Sequence, residues 1–503
     1  MLGMQASWKT RFITISIITS VFCLFLLSYH LMLVRLGYVG LLGFKPVFSD
    51  EVSYFLQIKA ALGNGPFSSN SGYFGYYYYG QEYVADWLNY GAHGWFLLVP
   101  HYLIGLFIGW GTFSPIVANS IILLAAFILC YLITKRAKGT VACMALSLTF
   151  LPLVLYFGTI MMEVPMYAIS VVLAALLCIY VKEPTKKLET AYIVVVIISC
   201  LFRITNLVFF IPVILLKAKS KPKRFYLIYT LCACIISASA YFLNSLFSAQ
   251  YPLGFLYQLM ATARQDIVSA TNMVFARFRI GAISFLDPVS QPGTFVFMRY
   301  FLIIMIVIFL VETFFEFDSE KIRYKRRQEI NTTALSLVLI LSSVILMVIA
   351  LYDVNDWRDF RVFAPFLLFV CLMSLLNYRI FLIPAVISVS VSLVFLSHFG
   401  AVSTFTRDRY TNDIEQNEII QQILYDVDAV DRWENTVTTT TNVLDCSFNA
   451  GIGIVYILSD ITDNSEIKSK YVLLTHPVNL ASHALIDSDG VYYLYERNNE
   501  YRE

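Results

Sequence analysis

Long apolar segments constrain what this chain can fold into more than any other feature of its sequence. They lie at residues 12–36, 116–134, 140–158, 164–181, 225–246, 299–316, 332–351, 362–376 and 380–398. Most are close to the roughly 20 residues that an α-helix needs to cross the hydrocarbon core of a bilayer. Hydrophobic residues make up 58% of the 503-residue chain and charged residues only 14%, which is more apolar surface than a soluble domain can bury. The sequence therefore predicts an all-α polytopic membrane protein.

Clusters of Lys and Arg predict the orientation of the helices. They lie at residues 135–138, 182–187, 217–224 and 321–327. Cytoplasmic loops of membrane proteins carry an excess of Lys and Arg, so we expect all four clusters and the N-terminus in the cytoplasm. The regions that then face outward are 37–115, 247–298, 352–361 and 399–503.

The apolar segment 190–216 does not fit a simple span, because basic clusters flank both of its ends. A single span would place one of those clusters outside. Two short helices with a hinge near residues 203–206 keep both clusters inside, and apolar stretches of about 12 residues are often re-entrant. The prediction is about nine full spans plus a re-entrant helical hairpin, or eleven membrane helices in all.

The first outward loop begins with the stretch FSDEVSYF, in which Asp50 and Glu51 are adjacent carboxylates. Ser49 and Asp50 can cap a helix over 51–62, whose N-terminus stabilises ionised carboxylates. A capping role and a catalytic role are equally compatible with this spacing.

The rest of the first loop is rich in Tyr and ends in the apolar segment 93–110, which Pro100 interrupts. We interpret that segment as a helix lying in the membrane interface rather than as a span. Tyr rings can stack on sugar faces, although an aromatic belt at the interface is the more common reason for a single Tyr. The candidate sugar-binding residues are Tyr54, Tyr76, Tyr77, Tyr78 and His93.

A second carboxylate, Glu163, is the only charge in the turn TIMMEVPMY before the apolar segment 164–181. Ionisable groups next to apolar helices tend to be functional. The alternative is a helix N-terminal cap, since Pro165 marks the first turn of the next helix.

Arginines near the outer ends of helices are candidates for binding an anion, because the planar guanidinium can bind two phosphate oxygens at once. Arg358 and Arg361 lie in the stretch YDVNDWRDFRVFAPF, where a lattice of salt bridges is the alternative. Three further candidates in the outward region 247–298 are Arg264, Arg277 and Arg279. The sequence does not choose among them.

The tail, 399–503, is more polar than the rest and contains strand-like runs at 451–460, 470–480 and 490–498. We therefore predict a membrane domain over 1–398 and a small extracytoplasmic α/β or mainly β domain over 399–503. His476 and His483 are expected to pack or to lie in turns, because no plausible set of metal ligands accompanies them.

The order and sidedness of these features resemble the GT-C superfamily of integral-membrane glycosyltransferases over about residues 10–398. The shared features are the acidic pair after the first span (Asp50 and Glu51), a second acid after the third span (Glu163), short irregular helices at 190–216 and an Arg-containing loop before a late span (356–361). The pattern is similar to enzymes that use a polyprenyl-phosphate monosaccharide, such as aminoarabinose transferases, protein mannosyltransferases and the bacterial glucosyltransferases that modify O-antigen. The Trp-Trp-Asp signature of oligosaccharyltransferases is missing, and so is a clear Asp-X-Asp motif.

The resemblance implies an inverting transfer of one sugar, with glucose favoured, from a polyprenyl phosphate to a hydroxyl of a surface glycan such as lipopolysaccharide O-antigen. The reaction would occur on the extracytoplasmic face of a bacterial inner membrane. Asp50 would act as the base, Glu51 or Glu163 would orient the acceptor, and Arg358 and Arg361 would be the first candidates for the phosphate. No cofactor is required, although carboxylates beside a phosphate can hold Mg²⁺ or Mn²⁺. No nucleic acid partner is expected.

Two other classes of protein remain open at this point. One is another enzyme of lipid-linked glycan assembly, such as a polymerase or a ligase. The other is a transporter or flippase of lipid-linked sugars, which predicts charges deep within spans and often internal repeats. The sequence shows neither feature: most charges lie at the ends of the apolar segments, and no internal repeat is visible.

Overall fold

The fold is known from a computed structural model. It describes residues 8–35, 40–41, 49–66, 74–78, 81–85, 95–111, 113–161, 163–218, 223–246, 254–286, 307, 324–351, 360–377, 418–424, 426, 428–429, 431–440, 454–458, 461–463 and 465–498.

Helices make up most of the described chain. They are α1 (Trp8–Arg35), α2 (Ser49–Asn64), α3 (Val99–Ile108), α4 (Ser114–Thr134), α5 (Ala137–Thr149), α6 (Leu151–Tyr156), α7 (Glu163–Lys182), α8 (Lys186–Phe202), α9 (Phe210–Ala218), α10 (Lys223–Ser245), α11 (Gly254–Gln265), α12 (Ile267–Leu286), α13 (Tyr324–Leu351), α14 (Phe360–Asn377) and α15 (Glu418–Gln421). Short 3₁₀ helices cover Trp95–Leu97, Ile204–Phe209 and Arg432–Asn435.

Four helical stretches among the described residues are long and apolar enough to cross a membrane. They are Trp8–Leu31, Ser114–Thr134, Glu163–Lys182 and Leu227–Asn244. Shorter apolar helices cover Val99–Ile108, Ile204–Lys217, Thr332–Ile345 and Ala364–Leu376. The membrane character is thus supported, but the predicted count of eleven membrane helices is not confirmed. The predicted segment 380–398 lies outside the described residues, as does 299–316 except for residue 307.

The predicted span 140–158 is wrong as a single helix, because the chain breaks between α5 and α6 at Phe150. Phe150 has an extended backbone, with φ −68° and ψ 110°. Pro152 explains the break, since a proline inside a helix lacks the N–H for the ladder and clashes with the preceding turn.

Helix α7 lies at the centre of the bundle, between α4 and α14. The Ser170 hydroxyl donates a hydrogen bond to the carbonyl oxygen of Pro365 at 2.8 Å, and the Cys178 thiol lies 3.7 Å from the carbonyl oxygen of Leu376. The contact further along α7 is also the one further along α14, so the two helices run parallel. Their N-termini, which contain Glu163 and Phe360, therefore lie at the same end of the bundle.

Two of the predicted basic clusters lie at the opposite end of the bundle. Arg136 donates a hydrogen bond to the carbonyl oxygen of Leu376, the last turn of α14, at 3.0 Å. Lys182 ends α7, and α8 begins four residues later at Lys186. The two clusters at 135–138 and 182–187 therefore share one end of the bundle, as the positive-charge rule predicts.

The chain reverses direction within the segment 190–216. Helix α8 ends at Phe202, and Arg203 has an extended backbone before a 3₁₀ helix begins. The Tyr192 hydroxyl donates to the carbonyl oxygen of Phe209 at 2.9 Å, and Lys217 forms an ion pair with Glu189. The hinge predicted at 203–206 is confirmed, and the two ends of the hairpin lie side by side.

A seven-stranded sheet combines the tail with the first loop. Its strands are β1 (Phe74–Tyr78), β2 (Gln81–Ala85), β3 (Thr436–Thr440), β4 (Ile454–Leu458), β5 (Tyr471–Leu474), β6 (His483–Ser488) and β7 (Tyr493–Arg497). Their order is β2-β1-β4-β3-β5-β7-β6, with parallel pairing of β1 to β4, β4 to β3 and β3 to β5. The small C-terminal sheet is as predicted. The sequence did not predict that the first loop adds the strands β1 and β2 to it.

A buried apolar cluster, which we call the junction core, lies between this sheet and the bundle. Its members are Tyr54, Phe55, Ile58, Ala61, Trp95, Leu97, Leu98, Tyr156, Ile160, Met161, Met166, Phe202, Ile419, Ile420, Ile423, Val437, Tyr471, Leu473 and Leu494. The cluster joins α2, the turn before α7, the end of α8 and the sheet. The first loop and the tail therefore cover the same end of the bundle, where α7 begins.

Candidate functional site

A buried ion pair joins two breaks in the helical bundle. Glu163 is the first residue of α7, and Arg203 follows the last residue of α8. Arg203 Nη2 lies 3.3 Å from Glu163 Oε1, and the two side chains are 8% and 0% exposed. This separation is longer than the 2.7–2.9 Å typical of a charge-assisted N–H···O bond. Glu163 therefore faces a cation inside the protein, which a simple helix cap does not require.

Further polar groups surround this pair. Asn206 donates to the carbonyl oxygen of Ser199 at 2.7 Å and lies 3.4 Å from the sulfur of Met166. Tyr167, one turn after Glu163 in α7, and Thr205, at the hinge, are both buried. Among the described residues, neither of their hydroxyls has a hydrogen-bond partner. The pair thus lies in an enclosed polar region whose two hydroxyls could form further hydrogen bonds.

The turn before Glu163 is held by the side chain of Asn119 in α4. Its Nδ2 donates to the carbonyl oxygens of Phe157 at 2.8 Å and Thr159 at 2.6 Å. Because both amide protons are used in this way, Oδ1 must accept the bond from His101 Nε2, which is 2.9 Å away. A single amide therefore connects α3, α4 and the turn that positions Glu163.

His101 links this turn to the first loop. It is buried in α3, a helix too short to span a bilayer, and its ring stands edge-on to that of Trp110, 6.3 Å away. Trp110 in turn donates to the carbonyl oxygen of Phe55 in α2 at 3.0 Å. Burial lowers the pKa of His101 to about 4, and the hydrogen bond with Asn119 opposes this effect. His101 is thus neutral at physiological pH.

The predicted catalytic residues Asp50 and Glu51 lie in the first turn of α2, which begins at Ser49. Their side chains are outside the described residues, so their roles stay predictions. Tyr54, one turn after Asp50, is buried in the junction core. The helix that contains the acidic pair therefore packs at the same end of the bundle as Glu163.

The predicted phosphate-binding arginines fall into two groups. Arg264 at the end of α11 and Arg279 in α12 are exposed, and Arg277 in α12 is half-buried. Arg361 lies in the first turn of α14, although its side chain and all of Arg358 are outside the described residues. None of the three described side chains is as enclosed as Arg203.

Helices α11 and α12 lie in the region 247–298, where the sequence did not predict helices. Asp266 separates them and caps α12. The Ser269 hydroxyl and the amides of Val268 and Ser269 donate to its carboxylate, and these bonds hold the pKa of Asp266 below its usual range.

Three of the predicted sugar-binding tyrosines lie in the sheet. Tyr76, Tyr77 and Tyr78 belong to β1, where Tyr76 pairs with Ile457 of β4. Their side chains and residue His93 are outside the described part of the chain, so sugar binding by them stays a prediction.

The two histidines of the tail have structural positions, as expected. The ring of His483 is buried and bonds to the carbonyl oxygen of Ser469 and to the hydroxyl of Ser482, both at 2.8 Å. His476 is exposed at a bend after β5. Within the described residues, no group of three His, Cys, Asp or Glu side chains is placed to hold a metal ion.

Arg203 is the functional candidate that the sequence reasoning missed. Its signal was present, because a charged residue inside an apolar segment is costly and tends to be functional. The hinge was predicted from the basic clusters on both sides of the segment, and the pairing of Arg203 with Glu163 depends on a contact between helices that local patterns do not give.

Comparisons with protein families, with curated proteins and with solved structures find no match to this chain. A functional assignment therefore rests on the chain's own residues and their arrangement.

Proposed function

We propose that this chain is an integral-membrane, inverting glycosyltransferase that moves one sugar from a polyprenyl phosphate to a hydroxyl of a surface glycan. Glucose is the favoured sugar and lipopolysaccharide O-antigen the favoured acceptor. The observation that carries the proposal is the buried pair of Glu163 and Arg203 at the end of the bundle that α2 and the sheet cover. The reaction takes place at this end, on the extracytoplasmic face of a bacterial inner membrane.

The arrangement suits a donor that arrives within the membrane. A polyprenyl chain lies among lipid tails, and its phosphate and sugar lie at the membrane surface. Apolar helices α1 and α10 leave large side chains exposed, as lipid contact requires. The acidic first turn of α2 and the first turn of α14 with Arg361 belong to the same end as Glu163. A base, an orienting acid and cations are thus available within one layer.

The proposed chemistry is a single displacement. Asp50 accepts the proton of the acceptor hydroxyl while that oxygen forms a bond to the anomeric carbon. The bond from this carbon to the phosphate oxygen breaks, its electron pair stays with the phosphate, and the configuration inverts. Glu51 or Glu163 orients the acceptor. A positioned base of this kind contributes about 10²–10⁴-fold in rate.

Arginines stabilise the departing phosphate as its negative charge increases. Arg358 and Arg361 remain candidates, and Arg203 joins them because its guanidinium is buried and contacts a single carboxylate oxygen. A guanidinium with unused N–H groups can bind a phosphate oxygen without first losing a shell of water. Arg264, Arg277 and Arg279 rank lower, because they are exposed or half-buried.

The proposal is tested by measuring sugar transfer from polyprenyl-phosphate glucose in proteoliposomes. Asp50→Asn and Asp50→Ala should each lower the rate about 10²–10⁴-fold, since both remove the base. Asp428→Asn makes the same chemical change at an exposed position of the tail and should leave the rate unchanged. Near wild-type rates for both Asp50 variants would remove Asp50 as the base. Failure of the wild-type protein to transfer a sugar from any polyprenyl phosphate would remove the function itself.

The phosphate site is tested separately, through the affinity for polyprenyl phosphate without a sugar. Arg361→Ala and Arg203→Lys should both weaken binding, because lysine cannot reproduce the planar fork of arginine. The control is Arg224→Ala, which removes an exposed arginine at the start of α10, and Arg279→Ala tests the lower-ranked candidate in α12. If only the Arg279 variant lost affinity, the phosphate would bind at α12 instead.

A further inference from the structure

Gln57 of α2 is an unusual residue for its position. Its side chain is completely buried. Neither Oε1 nor Nε2 has a hydrogen-bond partner among the described residues. Buried polar side chains in folded proteins nearly always have a partner, so an amide without one calls for a specific explanation.

Packing alone does not explain this residue. Tyr54, Gln57, Ile58 and Ala61 recur at the spacing of one helical face, and all four are buried. An apolar side chain such as leucine would fill the same volume without the cost of desolvating an amide. The protein therefore keeps a polar group where stability favours an apolar one, which is characteristic of functional positions.

The surroundings of Gln57 connect it to the candidate site. The junction core packs against this face of α2 and includes Met161, Met166 and Phe202. These residues flank Glu163 and Arg203 in the sequence. The face of α2 that contains Gln57 and the segments that contain the ion pair thus pack against the same apolar core, and small-molecule sites occur preferentially at such boundaries.

We infer that Gln57 binds hydroxyl groups of a sugar ring at the candidate site. An amide offers a carbonyl acceptor and two N–H donors, and sugar hydroxyls can both donate and accept. Two neighbouring hydroxyls can therefore satisfy both ends of the side chain at once. The amide is neutral, so it recognises the sugar without competing with Arg203 for a phosphate.

The inference rests on the proposed glycosyl transfer for the nature of the ligand, and either sugar could supply the hydroxyls. The donor sugar and the acceptor glycan have the same chemistry. Deoxy analogues distinguish them, because removing the hydroxyl that Gln57 binds should slow the wild-type protein but have no further effect on a Gln57 variant.

The test uses Gln57→Leu in the full-length protein, with stability and transfer measured together. We expect the melting temperature to stay the same or rise and kcat/KM to fall about 10- to 100-fold, as for one or two lost hydrogen bonds. The control is Ser374→Ala in α14, which removes a buried hydroxyl that, like the Gln57 amide, has no hydrogen-bond partner among the described residues. It should also preserve or raise the melting temperature, but it should leave transfer unchanged.

Deoxy-glucosyl polyprenyl phosphate and deoxy acceptor glycans form the two arms that identify the source. If a deoxy donor slows the wild-type protein but not Gln57→Leu, the side chain binds the donor sugar. The same result with a deoxy acceptor assigns the contact to the acceptor glycan. Wild-type transfer by Gln57→Leu, or a lower melting temperature that accounts for its lost activity, would overturn the inference.

Binding measurements in nanodiscs separate this inference from the proposed reaction. If the wild-type protein binds glucosyl polyprenyl phosphate or the glycan, and Gln57→Leu weakens that binding, the sugar site stands even if no transfer is observed. If the wild-type protein binds neither probe, the sugar site is wrong.

Discussion

Lys217 and Glu189 form an ion pair that closes the open end of the hairpin of α8 and α9. Lys217 belongs to the last turn of α9 and Glu189 to the first turn of α8. The Lys217 ammonium also lies over the ring of Tyr229 in α10, 5.6 Å from its centre. The starts of α8 and α10 and the end of α9 therefore lie together, which predicts that the two basic clusters around the hairpin face the same side of the membrane.

Cysteine labelling tests this topology. Lys187→Cys and Arg224→Cys replace exposed residues at the two ends of the hairpin. Both should react with a membrane-impermeant maleimide from the same side of sealed vesicles. Ser488→Cys in the tail sheet should react only from the other side. Labelling of the first two variants from opposite sides would contradict the re-entrant arrangement.

This experiment needs a background without reactive native thiols. Cys23, Cys232 and Cys234 are exposed in the described helices, and Cys446 lies outside the described residues. Alanine at all four positions provides that background. Vesicles opened with detergent, in which all three variants should react, control for accessibility.

The buried pair of Glu163 and Arg203 predicts that removing one partner lowers the free energy of unfolding far more than removing both. Arg203→Met leaves a buried carboxylate without its cation, which should cost about 3–5 kcal/mol. The double variant Arg203→Met/Glu163→Gln removes both charges and should recover most of that loss. The measurement is thermal unfolding of the purified protein in detergent.

A matched control comes from the other ion pair of the hairpin. Lys217→Met breaks the pair with Glu189, whose side chains are partly exposed, and should cost about 0–1 kcal/mol. Equal losses for Lys217→Met and Arg203→Met would show that burial of the Glu163 pair has no special energetic weight.

Local patterns were sufficient to predict the elements that depend on nearby residues. The hinge at 203–206 followed from the basic clusters on both sides of an apolar segment. The N-terminus of α7 followed from Glu163 and Pro165. Each of these signals comes from a few neighbouring residues, so no knowledge of the rest of the fold was needed.

Contacts between distant parts of the chain could not be predicted in the same way. Tyr76 pairs with Ile457, and the alternation of residues within one strand does not specify a partner so far along the chain. Likewise, the capping residues predicted the helix over 51–62 but gave no reason to expect a buried amide without a partner at Gln57. Arg203 and Glu163 were each visible as charges, but only the fold shows that they meet.

Asn119 should be essential for the turn that positions Glu163. Asn119→Ala removes the donors to the carbonyl oxygens of Phe157 and Thr159 and the acceptor for His101. Each buried group left without a partner costs about 1–3 kcal/mol, so the melting temperature should fall clearly. Sugar transfer should fall further than the loss of folded protein explains, because the Glu163 turn is no longer held.

The adjacent residue Ser120 provides the control for Asn119. Among the described residues, its hydroxyl bonds only to the carbonyl oxygen of Ile116 within α4, at 2.7 Å. Ser120→Ala should change both stability and transfer little. If Asn119→Ala behaved like Ser120→Ala, the turn would be held by its apolar contacts in the junction core instead.

His101 should make the stability of the protein depend on pH. Its folded-state pKa of about 4 lies below the ordinary value of 6.5, so the folded protein binds the proton less well than the unfolded one. The free energy of unfolding is therefore highest above pH 6.5. It decreases by about 3 kcal/mol as the pH falls towards about 4. His101→Gln keeps a donor for Asn119 but does not titrate. Thermal unfolding across this range should show a steeper decline for the wild type than for His101→Gln, and parallel curves would contradict the assignment.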